Sequence, residues 1–329
     1  MSTSVASKTR GSGRRGSSRR WAGSAYTRRN LLTGLLFISP WLVGFLLFTL
    51  YPMISSLYTS FTEYHIRAES DWVGLLNYRQ MLADPRFWKA LYNTTYMVVV
   101  AVPLTLLGSF LCAVLLNLKL RGQSVYRVIY FIPSIVPVVA GSILWVWIYN
   151  TNNGLLNTAL GWFGIKGPSW LTDPAWAKPA LILMGLWAMG TTIVIYLSGL
   201  QDVPVSLLEA AELDGASWLQ RLWHVTIPMV SPITLFNLIL GVIGMFQYFT
   251  QAFIFASAQS STAVSGGRTL GAPLDSTLFY SVYLYHKAFI NLKFGYASAM
   301  AWVLFIIILI CTVLLLRFSE RWTYYGEEG

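Results

Sequence analysis

The sequence predicts an all-α polytopic membrane protein with about six transmembrane helices and a helical polar loop on one side. Three observations predict it. Apolar residues make up 55% of the chain and charged residues only 11%, far below the roughly 25% charged share of soluble domains. The apolar residues gather in six runs, at 31–61, 90–118, 128–150, 179–201, 229–256 and 296–316, each close to or above the about 20 residues that a helix needs to cross hydrocarbon. The 23 Lys and Arg, the 13 Asp and Glu and the 3 His all fall outside those runs.

The chain opens on residues 1–29, rich in Ser, Gly and Arg. Of the net charge of +10, +8 sits in residues 1–30, so the remainder carries only +2 and nucleic acid is not the implied partner. Such a segment cannot bury enough apolar surface to fold and is expected as a disordered basic tail beside anionic lipid headgroups. Thr27-Arg28-Arg29-Asn30-Leu31-Leu32 looks like a twin-arginine export signal. However, the apolar run that follows is much longer than the roughly 7–15 residues of a signal peptide's apolar h-region, and no A-x-A site follows it. The arginines read instead as the cytoplasmic flank of the first span. That span is overlong and contains Pro40 and Pro52, so an interfacial turn or a kink is expected.

Six crossings put both termini on one side, and the basic tail makes that side cytoplasmic. The short inner loop 119–127, with Lys119, Arg121 and Arg127, agrees. The expected organisation is therefore a tail at 1–29, a transmembrane domain at 30–320 and a cytoplasmic C-terminal tail at 321–329. Segments 63–89, 151–178 and 257–295 face outward. Cys112 and Cys311 lie inside apolar runs and read as small core residues, not a disulfide or metal pair. Trp145 and Trp147 read as interfacial belt residues.

The informative exception to the apolar pattern is the cytoplasmic loop 202–228. Pro204 suits a helix start, and Leu207, Leu208 and Ala211 are spaced for one helical face. Asp214-Gly215 supplies the stop. A second short helix over 216–224 is expected to end at Pro228.

The absences narrow the function. No charge lies within the spans, where ion-coupled carriers place their relay residues. No G-x-x-x-x-G-K-[ST] loop exists for nucleotide phosphates. There is no paired-carboxylate, nucleophile–base or metal-ligand constellation, so an enzyme reading has no support. Energy for transport must then enter from outside the spans.

The loop also carries a family resemblance. Glu209-Ala210-Ala211-Glu212-Leu213-Asp214-Gly215-Ala216, followed by Val225-Thr226-Ile227-Pro228, resembles the E-A-A-x-x-D-G-A…I-x-L-P signature of permease subunits of bacterial ABC importers, the binding-protein-dependent transport system inner membrane component family. Val and Ile stand where the signature has Ile and Leu. Further stretches resemble the carbohydrate-type permeases. They are Tyr51-Pro52, Val73-Gly74-Leu75 with Asn77-Tyr78, Asp84-Pro85-Arg86-Phe87-Trp88, Leu120-Arg121-Gly122, and Gly295-Tyr296-Ala297-Ser298-Ala299. The outer loop after span five departs from the family's T-G-G-G-P, reading Ala256-Ser257-Ala258-Gln259-Ser260-Ser261 with Gly266-Gly267 later.

The resemblance implies a transport subunit coupled to a separate ATPase through Glu209, Ala210, Ala211, Asp214, Gly215 and Pro228. It implies no cofactor on this chain, with ATP and Mg bound by the partner subunit. The implied partners are a second permease (a heterodimer being favoured), two ATP-binding subunits and an extracytoplasmic sugar-binding protein. The cargo class is an oligosaccharide or a related sugar or glycerol phosphate compound.

For the substrate path, Asn237, Gly241, Gly244, Tyr248 and Gln251 follow a 4-3-4-3 spacing, and Gln247 pairs with Gln251 at i, i+4. The stripe reads equally as helix packing or as a sugar pathway in which Asn237, Gln247 and Gln251 bind hydroxyls and Phe246, Tyr248 or Phe249 offers a ring face. The competing functional classes are a secondary carrier or channel without an ATPase partner, and a membrane scaffold using the loop as a partner site.

Overall fold

The computed structural model describes residues 25–64, 70–118, 121–260 and 271–324. Most of the expected basic tail, the Lys119-Leu120 start of the inner loop, the Gly266-Gly267 segment and the last five residues lie outside them. The described chain forms two units, Met1–Ser55 and Ser56–Gly329.

The first unit is helical from Ala25, inside the stretch expected to be a tail. α1 (Ala25–Phe45) passes through five residues of π-helix, Leu46–Leu50, into α2 (Tyr51–Ser60), which reaches into the second unit. The kink or interfacial turn expected at Pro40 and Pro52 does not break the helix. A proline ring crowds the carbonyl four residues back. For Pro52 that is Phe48, and the π-turn widens the helix there. The span Thr33–Ser60 has none of its apolar window buried, as suits a lipid-facing helix.

In the second unit, a two-residue hairpin pairs β1 (Thr62–Glu63) with β2 (Asp71–Trp72) antiparallel. α3 (Leu76–Ala83) follows, then α4 (Pro85–Asn117), the central helix. α4 starts on an Asp-Pro device. Asp84 accepts from Arg86 N at 3.0 Å, and Pro85 takes a position whose amide would have no partner. Asp173-Pro174 repeats the device at α8, with Asp173 accepting from Ala175 N at 2.9 Å.

Two expected spans are each broken. Over 128–150, α5 (Gln123–Ile135) and α6 (Val138–Ile148) meet at 99°. Val136 precedes Pro137 and is therefore driven to extended backbone. After α7 (Leu155–Trp162), α8 (Pro174–Trp187) and α9 (Gly190–Gln201) bend by 50° within 179–201. The break sets Gly190 against α5 so closely that a Cβ would lie 2.5 Å from the Tyr130 carbonyl. By length and composition the chain has four spanning helices, or up to six if each bent pair is one span.

α10 (Val205–Leu213) and α11 (Trp218–Arg221) form the polar loop. The second of these helices does not end at Pro228. It runs through a π-turn, Leu222–Thr226, into α12 (Ile227–Phe246) as one helix, Trp218–Phe246. The cause is the one seen at Pro52: the carbonyl four residues before Pro228 belongs to His224, inside the widened turn. α13 (Thr250–Ser260), α14 (Tyr280–Tyr285), a π-turn over His286–Ile290 and α15 (Phe294–Ser319) complete the chain.

Three apolar clusters lie along α4. One, at the α10 end, joins Ala113 and Leu116 to Tyr196, Leu200 and Val230. The others gather Met97 with Tyr149, Leu181 and Phe255, and Val102 with Phe246, Tyr280 and Met300. Trp145 belongs to this core and not to an interfacial belt. It is 8% exposed and packs on Tyr149 and Trp187, whereas Trp147 is 74% exposed. The helices also begin earlier than the apolar runs, which brings Lys89 and Lys178 into α4 and α8. Their ammonium groups lie 6.0 and 5.2 Å from the Tyr92 ring, so charge reaches the first two turns of each helix.

Candidate coupling element and translocation path

The α10–α11 pair is built to stay rigid. Asp214 caps α10, and Gly215 adopts φ 84°, a left-handed conformation that favours glycine. Gly215 N donates to the Glu212 carbonyl at 3.0 Å and Ala216 N to the Ala211 carbonyl at 2.9 Å. This 5→2 and 6→1 pairing is a Schellman motif. Ser217 then opens α11 with a capping box: its amide donates to Gln220 Oε1 at 2.7 Å, and its hydroxyl accepts from Gln220 N. An Arg221–Glu212 ion pair ties the two helices together.

Leu208 packs on the cluster formed by the last turns of α4 and α9, and Ala211 is half-buried, while Glu209, Ala210, Asp214 and Gly215 are exposed. Leu207, expected on the same inner face, is 44% exposed, and Leu213 is 89% exposed. The element therefore grips the spans on one side and offers acidic and apolar groups on the other. Pro228 is half-buried inside the continuous helix and joins the element directly to α12.

The span-five stripe divides. Asn237 is 6% exposed, and its side-chain amide donates to the Ile233 carbonyl of its own helix at 2.9 Å. A Cβ at Gly241 would meet Val102 of α4 at 3.0 Å, whereas at Gly244 it would meet nothing within 4 Å. The helix then breaks over 247–249, so Tyr248 and Gln251 do not continue the stripe, and Gln247 and Gln251 do not form the expected i, i+4 pair. Phe246 is buried, Gln247 exposed and Gln251 half-buried. Tyr248 packs edge-on to Phe279 at 5.6 Å, with its hydroxyl buried and without a partner among the described residues. Phe249 stacks on Phe253 and lies 5.3 Å from Tyr285.

A second polar centre sits at the end of α4 away from α10, and sequence reasoning did not assemble it. Asp84 accepts from the hydroxyls of Tyr283 and Tyr296, the latter at 3.0 Å, and pairs with Lys287 at 3.1 Å. The Lys287 ammonium lies 5.0 and 4.6 Å from the same two tyrosine rings. Burial pushes the Asp84 carboxyl up, but the hydrogen bonds from Tyr283, Lys287, Tyr296 and Arg86 N outweigh it and hold its pKa below the ordinary value. The Tyr283 hydroxyl is pushed up, by burial first and then by donating to Asp84. Beside this centre, Asn93 donates to the Asp275 and Leu278 carbonyls at 2.8 and 2.9 Å. From the sequence, Asp84 was legible only within the family-like stretch Asp84–Trp88; its partners, 199 to 212 residues away, carried no sequence signal.

Residues 104–323 match the family model of the binding-protein-dependent transport system inner membrane component. The chain is 39% identical over 304 residues to the probable ABC transporter permease protein YesP of Bacillus subtilis, covering 92% of this chain and 94% of that one. It is 33% identical to the lactose transport system permease protein LacF of Rhizobium radiobacter, covering 86% and 92%. A solved bacterial alginate ABC transporter, in complex with alginate pentasaccharide-bound periplasmic protein, has a chain of the same fold. That chain superposes with a TM-score of 0.75 at 21% identity, covering 91% of this chain and 97% of its own. The charge-poor spans, the capped helix pair and these full-length relationships make the chain a member of the binding-protein-dependent transport system inner membrane component family.

Proposed function

We propose that this chain is the permease subunit of an ATP-driven importer and forms part of the path for a carbohydrate, an oligosaccharide or a related sugar or glycerol phosphate compound. An external binding protein delivers the cargo, and ATP and Mg are bound by two separate ATPase subunits. A second, different permease completes the path. The α10–α11 side faces the cytoplasm together with both termini, as the basic N-terminal segment and the inner-loop basic cluster favour. The carbohydrate class is supported by the relatives named for lactose and, in Halalkalibacterium halodurans at 31% identity over 84% of each chain, for arabinooligosaccharides.

The observation that carries the ATPase reading is the rigid exposed pair itself. A helix closed by a Schellman turn and an ion pair transmits a displacement that a loose loop would absorb, and Pro228 lies inside the helix that receives it. Glu209 offers a charge-assisted contact to the partner, and Ala210 and Ala211 allow close approach. In proteoliposomes with the partner subunits, Gly215→Pro or Glu209→Lys is expected to leave the protein inserted while ATP hydrolysis no longer drives uptake. Undiminished uptake in both variants would overturn the assignment. A carrier or channel would instead show uptake independent of ATP.

A further inference from the structure

Two motifs not absorbed by the coupling element or the span-five path, Val73-Gly74-Leu75 with Asn77 and Gly295-Tyr296, converge at the outer end of the second unit. β1, α3 and the turn into α15 enclose a hollow of about 350 Å³ there, lined by Glu63, Tyr64, Gln80, Asn291, Lys293 and Tyr296 among others. Its walls are held close together. Asn77 is buried and spends both amide hydrogens on the Ser60 and Thr62 carbonyls at 2.9 and 3.0 Å. A Cβ at Gly295 would overlap the Thr62 carbonyl. Tyr296 continues from the hollow into the Asp84–Lys287 centre.

The lining has a definite chemistry. Among the described residues, the side chains of Glu63, Gln80, Asn291 and Lys293 have neither a hydrogen bond nor an ion pair. Glu63 can only accept, Lys293 can only donate, and the two amides do both. Among the described residues, one carboxylate and one ammonium leave the lining with no net charge. Tyr64, 42% exposed and edge-on to Phe294 at 5.7 Å, adds a ring. The volume lies within the range of small-molecule sites. A protein loop would instead favour an interface centred on apolar or arginine anchors.

We infer that this hollow is a low-affinity subsite for a neutral saccharide unit, which receives the cargo on the outer face before it enters the path. The inference rests on the carbohydrate reading above. It makes Gln80 and Asn291 cargo contacts, and Glu63 and Lys293 a pair that accepts hydroxyls without favouring an anion.

Saturation-transfer NMR on the full chain in lipid nanodiscs, with lactose, maltose and digalacturonate as probes at millimolar concentration, tests it. Lactose or maltose is expected to receive saturation, and Gln80→Ala/Asn291→Ala to bind about tenfold more weakly, the loss of two modest hydrogen bonds. Digalacturonate is expected to bind more weakly than either. No transfer to the neutral sugars, transfer unchanged in the double variant, or a digalacturonate preference removed by Lys293→Met would each overturn the inference. So would photo-crosslinking of a Gln80→Cys label to the binding protein in place of sugar binding. Uptake by the reconstituted importer, measured alongside, separates the two claims. Carbohydrate uptake without binding dependent on Gln80 and Asn291 sinks the subsite alone, whereas absence of any carbohydrate uptake sinks the reading beneath it.

Discussion

Asp84 shows how much one residue can tie together. It caps α4, accepts two tyrosine hydroxyls and pairs with Lys287, joining α4, α14, the following π-turn and α15. The pair is largely buried, with 18% and 17% of the two side chains exposed, so removing one partner strands the other. Asp84→Asn is expected to cost about 1–3 kcal/mol, below the full penalty of a dry pair because some solvent reaches it. A thermal-unfolding series in detergent reads this. Adding Lys287→Gln should recover part of the loss. The native carboxyl pKa lies below its ordinary value, so its stabilisation is fully present above the unfolded pKa of about 3.9 and is lost as pH falls through the lower native value. The stability gap between wild type and Asp84→Asn should therefore hold from neutral pH to about 4 and close only below it.

At the scale of elements, glycines set how closely neighbours approach, and their surroundings predict opposite outcomes. Gly295 opens α15 against the Thr62 backbone, so Gly295→Ala forces backbone movement and is expected to cost about 1–3 kcal/mol. Gly244 faces open space in α12, so Gly244→Ala should stabilise by about 0.5–1 kcal/mol through helix propensity. Gly199 sits between them: its Cβ would meet only the flexible end of Ile233, which can turn away. Thermal melts should rank Gly295→Ala lowest, Gly199→Ala between and Gly244→Ala highest. If Gly295→Ala melts with the wild type, β1 and α15 are not in close contact.

For the whole molecule, the proposed function makes the exposed face of the α10–α11 pair the place where the ATPase acts. Leu213 is 89% exposed at the end of α10, and Trp218 and Leu219 of α11 are exposed as well. Under the proposed function these apolar groups are covered by the ATPase. Leu213→Glu should weaken co-purification of that subunit about tenfold while leaving membrane insertion intact. Equal recovery of the ATPase with both forms would place the contact elsewhere on the loop.

The sequence by itself determined the class and the place of the polar helix pair along the chain. Charge exclusion and run length define spans because hydrocarbon tolerates neither unpaired charge nor unsatisfied backbone. The α10 helix was legible because Pro204, Asp214 and Gly215 act within a few residues of one another, whereas the Ser217 capping box that opens α11 came only with the structure. Only the tertiary structure decided the rest. Pro52, read as a kink, and Pro228, read as a helix stop, are absorbed by π-turns, while Pro137 and Gly190 mark real breaks; the backbone ahead of the first two widens, whereas Val136 turns extended and Gly190 is pressed against the Tyr130 carbonyl. The Tyr248–Gln251 end of the span-five stripe was lost for a related reason, since periodicity presumes one unbroken helix and the chain turns at 247–249. Asp84 meets Lys287, and Glu63 and Lys293 come to line one hollow, across some two hundred residues of chain, and spacing along a sequence carries no record of such distances. Local chemistry is written in order along the chain, and the contacts that close an outer face are written only in three dimensions.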